Sequence, residues 1–422
     1  MKILPSPFYT LFTSPISVVK MDYSFTEEQE MIRQSVREFA EKKIAPIAME
    51  MEKTKEIPLE IVKGLAELGV IACTAAPEYG GVGFDAVTAG IVAEELARAD
   101  PTGSIPVFFL IQASWGHVLN KYGTEECKKE VFPRVTKGEW FLGIATTESD
   151  AGSDLGSTRT RITPTQNGYV VNGEKMYISG VREAYTRGGG HVTIAKQTPE
   201  AGTRGMSLFY LPLHGQNGPT PGITPTYLDD LGREGISTGG FTIDNVEIPK
   251  HYLIGEENKG FYIVHEGYEF ARGLISIICA SAGLKSLENG MNYIKQRKCF
   301  GIPIGKFEWI QFKLAEHYTK LTMLKDLAFK AMYIYDQEQK GKAKRFEVSK
   351  AIAMAKMFAQ EWACAAVDDV MQWQGAFGYT RECSDQCIWR ALRSFGWAEG
   401  SKEIMRVIVG RELLGKEFIS YR

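Results

Sequence analysis

Residues 397–404 read WAEGSKEI, a single carboxylate set between Trp397-Ala398 and Gly400. A carboxylate beside an indole and a methyl group is poorly solvated, and lost solvation raises its pKa. Glu399 is therefore a candidate general base, able to take a proton from carbon. The competing explanation is that acids favour helix starts, and SKEI looks like one. Three further stretches carry groups suited to holding a ligand. In IATTESDAGSDLGS (144–157), Thr147, Ser153 and main-chain N–H groups crowd a loop that could cradle a phosphate or a polar cofactor edge. Surface turns rich in Asp and Ser have the same composition. In NYIKQRKCFGIPIGKF (292–307), Arg297 ahead of Phe300-Gly301 could pair with phosphate and stack on a ring, or serve as a helix C-terminal cation. In QWQGAFGYTRE (372–382), Gly375 and Gly378 permit close backbone approach to something flat or anionic, or simply stop a helix.

Those groups need elements to position them. Thr26 and Gln29 form a capping box ahead of Ile32, Val36, Phe39 and Ala40 at helical spacing. PLEIVKGLAELGV and DAVTAGIVAEELARAD continue the helical period on either side of the loop EYGGVGF. Near residue 140 the period changes. Asn-Gly pairs at 167–168 and 172–173 signal hairpin turns, because both residues tolerate positive φ. HVTIAKQ, GMSLFYLPL and GFTIDNVEIP read as strands, and RGGGH (187–191) as a loop between them. From about 256 onward long amphipathic runs indicate a helical bundle. The expected architecture is α+β: an extension (1–24), an N-terminal helical domain (25–140), a small middle β domain (141–255) and a C-terminal four-helix bundle (256–422). Met21 is a candidate start, and ECSDQCIW reads as helix surface.

Composition excludes several function classes. The chain has 422 residues and a net charge of −2 with no basic stripe, which argues against nucleic acid and anionic membrane partners. Seven cysteines without CxxC spacing and six scattered histidines argue against a disulfide framework and against a metal site, and for a reducing compartment. Cys383 and Cys387 could share a helical face, but no histidine lies near them in sequence. No uninterrupted apolar run reaches the roughly 18 residues of a membrane span. The first 20 residues contain no arginine, so a cytoplasmic location is expected rather than a mitochondrial matrix one. GxGxxG after a strand and GxxxxGK[ST] are both absent, which disfavours Rossmann and P-loop enzymes.

In their order and α-β-α setting, TESDAGSD, QRKCFGIPIGKF, QGAFGYTRE and AEGSKEIMRVIVGREL, with EYGGVG and LDDLGREGISTGGFTIDNVEIP, resemble the acyl-CoA dehydrogenase family from about Phe25 to the C-terminus. The resemblance implies FAD and removal of hydrogen from Cα and Cβ of an acyl-CoA thioester, with electrons passed to an electron-transferring flavoprotein. It makes Glu399, before Gly400-Ser401, the base. Ala271, before Arg272, stands where a minority of members carry theirs. Thioester-carbonyl donors would be a flavin ribose hydroxyl and the base's own backbone N–H. By the same resemblance Thr147 is a hydroxyl near the flavin ring, and Tyr177 and Ser179 lie near its face and edge, Tyr177 replacing the usual tryptophan. Arg297 and Phe300 would reach the FAD of a neighbouring subunit, Gln372 and Gly375 its pyrophosphate, and Ser401 the adenine half. Ser153, Arg272 and Gly400 would contact the substrate. Such sharing implies a homotetramer or homodimer.

Several positions depart from the family pattern. Glu308 and Glu403 stand where Gln is frequent and, if both face FAD, would repel its pyrophosphate unless protonated or paired with Lys402 or Arg297. Ala376 replaces a glycine, Ala391 an aspartate and Cys387 a basic residue. Ala398, where tyrosine is frequent, leaves width for a branched or alicyclic acyl group. The same fold also serves enoyl-CoA reductases, decarboxylating or desulfinating enzymes, oxidases and a non-catalytic binding homologue. The presence of Glu399 argues against those that dispense with the base.

Overall fold

A computed structural model describes residues 24–418, so the expected N-terminal extension and the Met21 start lie outside the described residues. The first region is helical: α1 Glu27–Phe39, α2 Ala48–Thr54, α3 Leu59–Glu67, α4 Ala86–Ala99, α5 Ser104–Tyr122 and α6 Glu125–Val135. The Thr26–Gln29 capping box starts α1 as expected. SIPVFFLIQASW in α5 is buried throughout, which makes this helix the axis of the region.

Strands β1 Phe141–Ala145, β2 Arg161–Pro164, β3 Gly168–Ser179, β4 Gly189–Lys196, β5 Met206–Gly215, β6 Gly218–Pro219, β7 Ile223–Leu228, β8 Thr238–Pro249 and β9 Leu253–Ile254 form one sheet, and α7 Val181–Arg187 intervenes after β3. Its order is β6-β5-β4-β2-β3-β8-β7, with β1 beside β4 and β9 beside β5.

Two sequence expectations need correction here. The β2–β3 hairpin does fall at Asn167-Gly168, but neither residue takes positive φ: Thr165 N–H donates to the Gly168 carbonyl and Gly168 N–H to Thr165 Oγ1. Asn172-Gly173 makes no turn: it lies inside β3 as a bulge opposite β8. Gly173 has φ 147, and a Cβ there would come 2.6 Å from Thr160 Oγ1. Asn172 meanwhile exchanges hydrogen bonds with Asn245, itself left-handed at φ 50. Gly173 alone of the dipeptide takes positive φ, and it does so within a bulge instead of at a hairpin tip. RGGGH is likewise no loop. Gly189, Gly190 and His191 open the buried strand β4, and the His191 ring bonds the Ser179 carbonyl through Nε2.

The last region contains the long helices α8 Gly260–Gln296, α9 Glu308–Gln339 and α10 Arg345–Gln374, then α11 Ser384–Ser394 and α12 Lys402–Leu414. By length and composition α8 could cross a membrane, but its apolar stretch is 94% buried inside the protein, so it is the core of the bundle. A tight hairpin, β10 Lys298–Cys299 with β11 Ile302–Pro303, follows α8. Cys299 is exposed, whereas the other cysteines are buried.

Arg390 of α11 ties the three regions together. It pairs with Glu52 of α2 at 2.8 Å and donates to the Leu231 carbonyl of the middle region at 2.6 Å.

Candidate active site

Where the three regions meet, a cleft of about 770 Å³ opens. Helix α8 sends Phe261, His265, Tyr268, Arg272 and Ile275 into its wall, at alternating steps of four and three that keep them on one face. Val107, Leu110 and Ile111 of α5 face them across the cleft. The loop after β1 adds Thr147 and Ser153, the end of β3 adds Tyr177 and Ser179, and the turn between α11 and α12 adds Trp397 to Gly400.

That turn settles the ambiguity over Glu399. Ser401 is the N-cap of α12, its hydroxyl accepting from the Ile404 N–H at 3.3 Å, and the acid of the first turn is Glu403. Glu399 lies outside the helix, so helix-start electrostatics do not explain it. Its backbone is left-handed (φ 56) and Gly400 follows at φ 101, a conformation a non-glycine residue holds only under constraint. Arg272 Nε donates to the Glu399 carbonyl at 2.6 Å, and Lys356 Nζ donates to the Gly400 carbonyl at 2.5 Å. Burial pushes the Glu399 carboxyl up to about 7, against the opposing charges of Arg272 and Lys356. The Trp397 indole was expected to help dry the carboxyl, but it is 59% exposed and lies under the Arg393 guanidinium, so it does not seal the site. Among the described residues the Ala398 and Gly400 amides donate to Ser394 and Trp397 carbonyls, while the Glu399 amide has no such acceptor. An unpaired donor therefore accompanies a carboxylate poised near neutrality.

On the opposite side, a second bulge in β3, between Met176 and Ile178, turns Tyr177 left-handed (φ 62) and leaves its ring 64% exposed in the cleft. Hydroxyls of Thr147 and Ser179 line the same cleft, and Arg233 Nη1 donates to Ser179 Oγ at 3.1 Å. A flat exposed ring beside hydroxyls suits a planar cofactor with polar edges, so the residues present fit FAD. Ser153 is exposed and lines the cleft. Arg272 is buried, lines the cleft and holds the Glu399 turn.

The remaining predicted residues are not brought to this cleft by the same chain. Arg297 is the C-cap of α8, and Phe300-Gly301 (φ 51 and 82) is the tip of the β10–β11 hairpin, with the Phe300 ring 93% exposed. Gln372 and Gly375 are exposed at the end of α10, the same end of the bundle, where Tyr293 Oη donates to the Gln374 carbonyl at 3.4 Å. Glu308 and Glu403 are both exposed. Lys402 pairs with Glu361 at 3.2 Å, and its charge also helps to hold the Glu403 carboxyl low.

Three features escaped the sequence. Glu148, read as part of a ligand loop, is buried and structural. It pairs with the fully buried Lys175 at 2.8 Å and accepts from the Arg159 and Thr160 amides. Tyr268 Oη donates to Thr146 Oγ1 at 2.7 Å across the cleft wall. Lys356 carried one legible signal, a lone charge in the apolar run AIAMAKMF.

Models of the acyl-CoA dehydrogenase N-terminal, middle and C-terminal domains match residues 26–139, 143–246 and 258–414. A probable acyl-CoA dehydrogenase, YngJ, of Bacillus subtilis (strain 168) is 32% identical over 93% of this chain and 100% of its own length. A 3-(aryl)acrylate reductase of Clostridium sporogenes is 33% identical over 92% of this chain and 99% of its own. A solved glutaryl-CoA dehydrogenase of Mycobacterium smegmatis in complex with FADH2 is 25% identical with a TM-score of 0.83, over 94% of this chain and 97% of that one.

Proposed function

The chain belongs to the acyl-CoA dehydrogenase family, FAD-dependent oxidoreductases acting on CH–CH groups, and we propose on that premise that it removes hydrogen from Cα and Cβ of an acyl-CoA thioester with Glu399 as the base. The observation that carries this reading is the Glu399 turn, a carboxyl lifted to about 7 whose own amide has no protein acceptor among the described residues. Glu399 takes the Cα proton. The Glu399 amide donates to the thioester oxygen, where negative charge gathers as the proton leaves. FAD, when bound, supplies the acceptor for the hydride from Cβ. Thr147, Tyr177 and Ser179 hold it within the chain. Arg297, Phe300, Gln372 and Gly375 serve a neighbouring copy's site in a homotetramer or homodimer, which accounts for their exposure at the far end of the bundle. The Ser401 hydroxyl lies beside the adenine half; it accepts from the Ile404 N–H as the cap of α12 and keeps its own proton to donate. Ser153, Arg272 and Gly400 border the substrate, electrons pass to an electron-transferring flavoprotein, and the location is cytoplasmic.

The acyl group is branched or cyclic. Ala398 leaves width beside the base, and Phe261, His265 and Tyr268 form an aromatic wall, the His265 ring meeting Phe261 at 4.6 Å and Tyr268 at 5.7 Å edge-on. A second reading runs the same residues as an enoyl-CoA reductase; the Clostridium relative, named a 3-(aryl)acrylate reductase, supports the direction of reduction.

The test is the visible spectrum of purified protein under anaerobic titration with straight-chain, branched, alicyclic and aryl acyl-CoAs. Bleaching by a branched or cyclic thioester supports the proposal. Bleaching confined to straight chains removes the substrate class, and bound flavin that no acyl-CoA reduces favours the enoyl reductase.

A base must be ionised to act. With its pKa near 7, Glu399 is protonated below that pH, so kcat/KM should rise about tenfold per pH unit up to about 7 and level off above it. A flat profile between pH 5 and 7 would remove Glu399 as the titrating base.

A further inference from the structure

Lys356 is 2% exposed on α10, and among the described residues its ammonium makes a single hydrogen bond, to the Gly400 carbonyl. A buried ammonium without an ion-pair partner costs free energy that an apolar side chain of similar length does not, so its presence calls for a reason. The neighbouring carbonyl, that of Glu399, is held by Arg272. Two buried cations from different helices thus grip two consecutive carbonyls of one left-handed turn.

We propose that Lys356 is a positioning residue for the base: with Arg272 it clamps the Glu399–Gly400 turn, aims the Glu399 carboxyl into the cleft and keeps its charged form accessible. The inference rests on the reading of Glu399 as the base.

The geometry accounts for the clamp. A non-glycine residue at φ 56 costs on the order of 1–3 kcal/mol and persists only when surrounding contacts over-determine it. Gly400 removes the side-chain penalty at the next residue, but it also adds freedom that the Lys356 bond takes away. The charges act in the same direction. Burial favours the neutral carboxyl, and the two cations oppose it. Besides Glu399, Lys356 faces Arg272 and Cys279 from α8 and Glu403 from α12. Arg272 in turn faces Tyr268 and Glu269 from its own helix and Arg345 from the start of α10. Burial brings Lys356 itself down to about 8, so it is charged through the range in which Glu399 ionises.

The experiment is a carbon-13 NMR titration of protein labelled at glutamate carboxyls, with the Glu399 resonance identified by its absence in Glu399→Gln. It is run on the native chain, Lys356→Met and Lys356→Gln, with kcat and thermal midpoint measured in parallel. Both substitutions remove the charge, so the Glu399 midpoint should rise by about half a unit to one unit. Met also removes the donor, so its kcat at high pH should fall about tenfold, while Gln keeps a donor and loses less. An unchanged Glu399 midpoint in both variants would overturn the proposal. So would a kcat loss that follows the thermal midpoint while the carboxyl titration stays put. If Lys356→Met does not fold, the midpoint in Lys356→Gln decides. If the carboxyl shifts as expected but the native protein oxidises no acyl-CoA, the functional reading fails and the clamp stands.

Discussion

Glu399→Gln should retain its flavin, bind acyl-CoA and reduce the flavin about 10²- to 10⁴-fold more slowly, the range general-base removal gives. The amide is nearly isosteric, so the turn, its two backbone clamps and the Glu399 N–H all survive the change. Glu399 is the glutamate that lines the cleft among the described residues. By the family resemblance the alternative base would stand at 271, which here is an alanine. The nearest carboxylates on α8 are engaged: Glu266 with Lys121 at 2.7 Å and Tyr122 at 2.6 Å, and Glu269 with Arg345 and Ser349. Stopped-flow bleaching, with ligand-induced spectral perturbation as the check on binding, measures the loss. Native-like bleaching in this variant would remove Glu399 from the chemistry. Lost perturbation would instead mean that the substitution had damaged the cleft.

Lys175→Met should destabilise the middle region by about 3–5 kcal/mol, because it leaves the Glu148 carboxylate buried without its counter-ion. Burial alone would push Glu148 up, but Lys175 and the hydroxyl and amides of residues 159–160 together hold it low, so it is charged in the folded protein. Replacing both partners, Lys175→Met with Glu148→Gln, should recover most of the loss, since the amide can still accept from Arg159 and Thr160 without a stranded charge. Denaturant melts of the two variants measure this. FAD affinity should follow, because Glu148 anchors the loop that carries Thr147. Equal stability of the single and double variants would show that the pair is not coupled.

How much of this was legible in the sequence divides along range. The Thr26 cap, the Asn167-Gly168 hairpin and the helical periods depend on neighbours in the chain, and the structure has them where expected. Glu399 was legible as an anomaly, an acid among apolar neighbours, but its two explanations separated only once Ser401 proved to be the cap. Asn172-Gly173 misled because a dipeptide that tolerates positive φ serves a turn or a bulge, and the choice was made by Asn245, far along the chain. Glu148 and Lys175 looked like two ordinary polar residues, since nothing local announces that a sheet will bring them together in the dry interior. Lys356 was visible as a lone charge in an apolar helix face, without any hint of which carbonyl it would find. Arg297, Phe300 and Gly375 stood out by residue type and Gln372 by family resemblance alone, and the geometry of these exposed residues within one chain does not complete the cleft.

The β10–β11 hairpin gives the chain an experimental handle. Cys299 is the exposed thiol among the described cysteines, and it sits one residue before Phe300. The others are shielded, and burial raises Cys73, Cys127, Cys279, Cys364, Cys383 and Cys387 away from thiolate formation. A maleimide dye or spin label therefore has one natural address, with no engineered cysteine needed. Labelling kinetics there report directly on whether another molecule shelters the hairpin tip, so assembly can be followed in solution on the unmodified sequence.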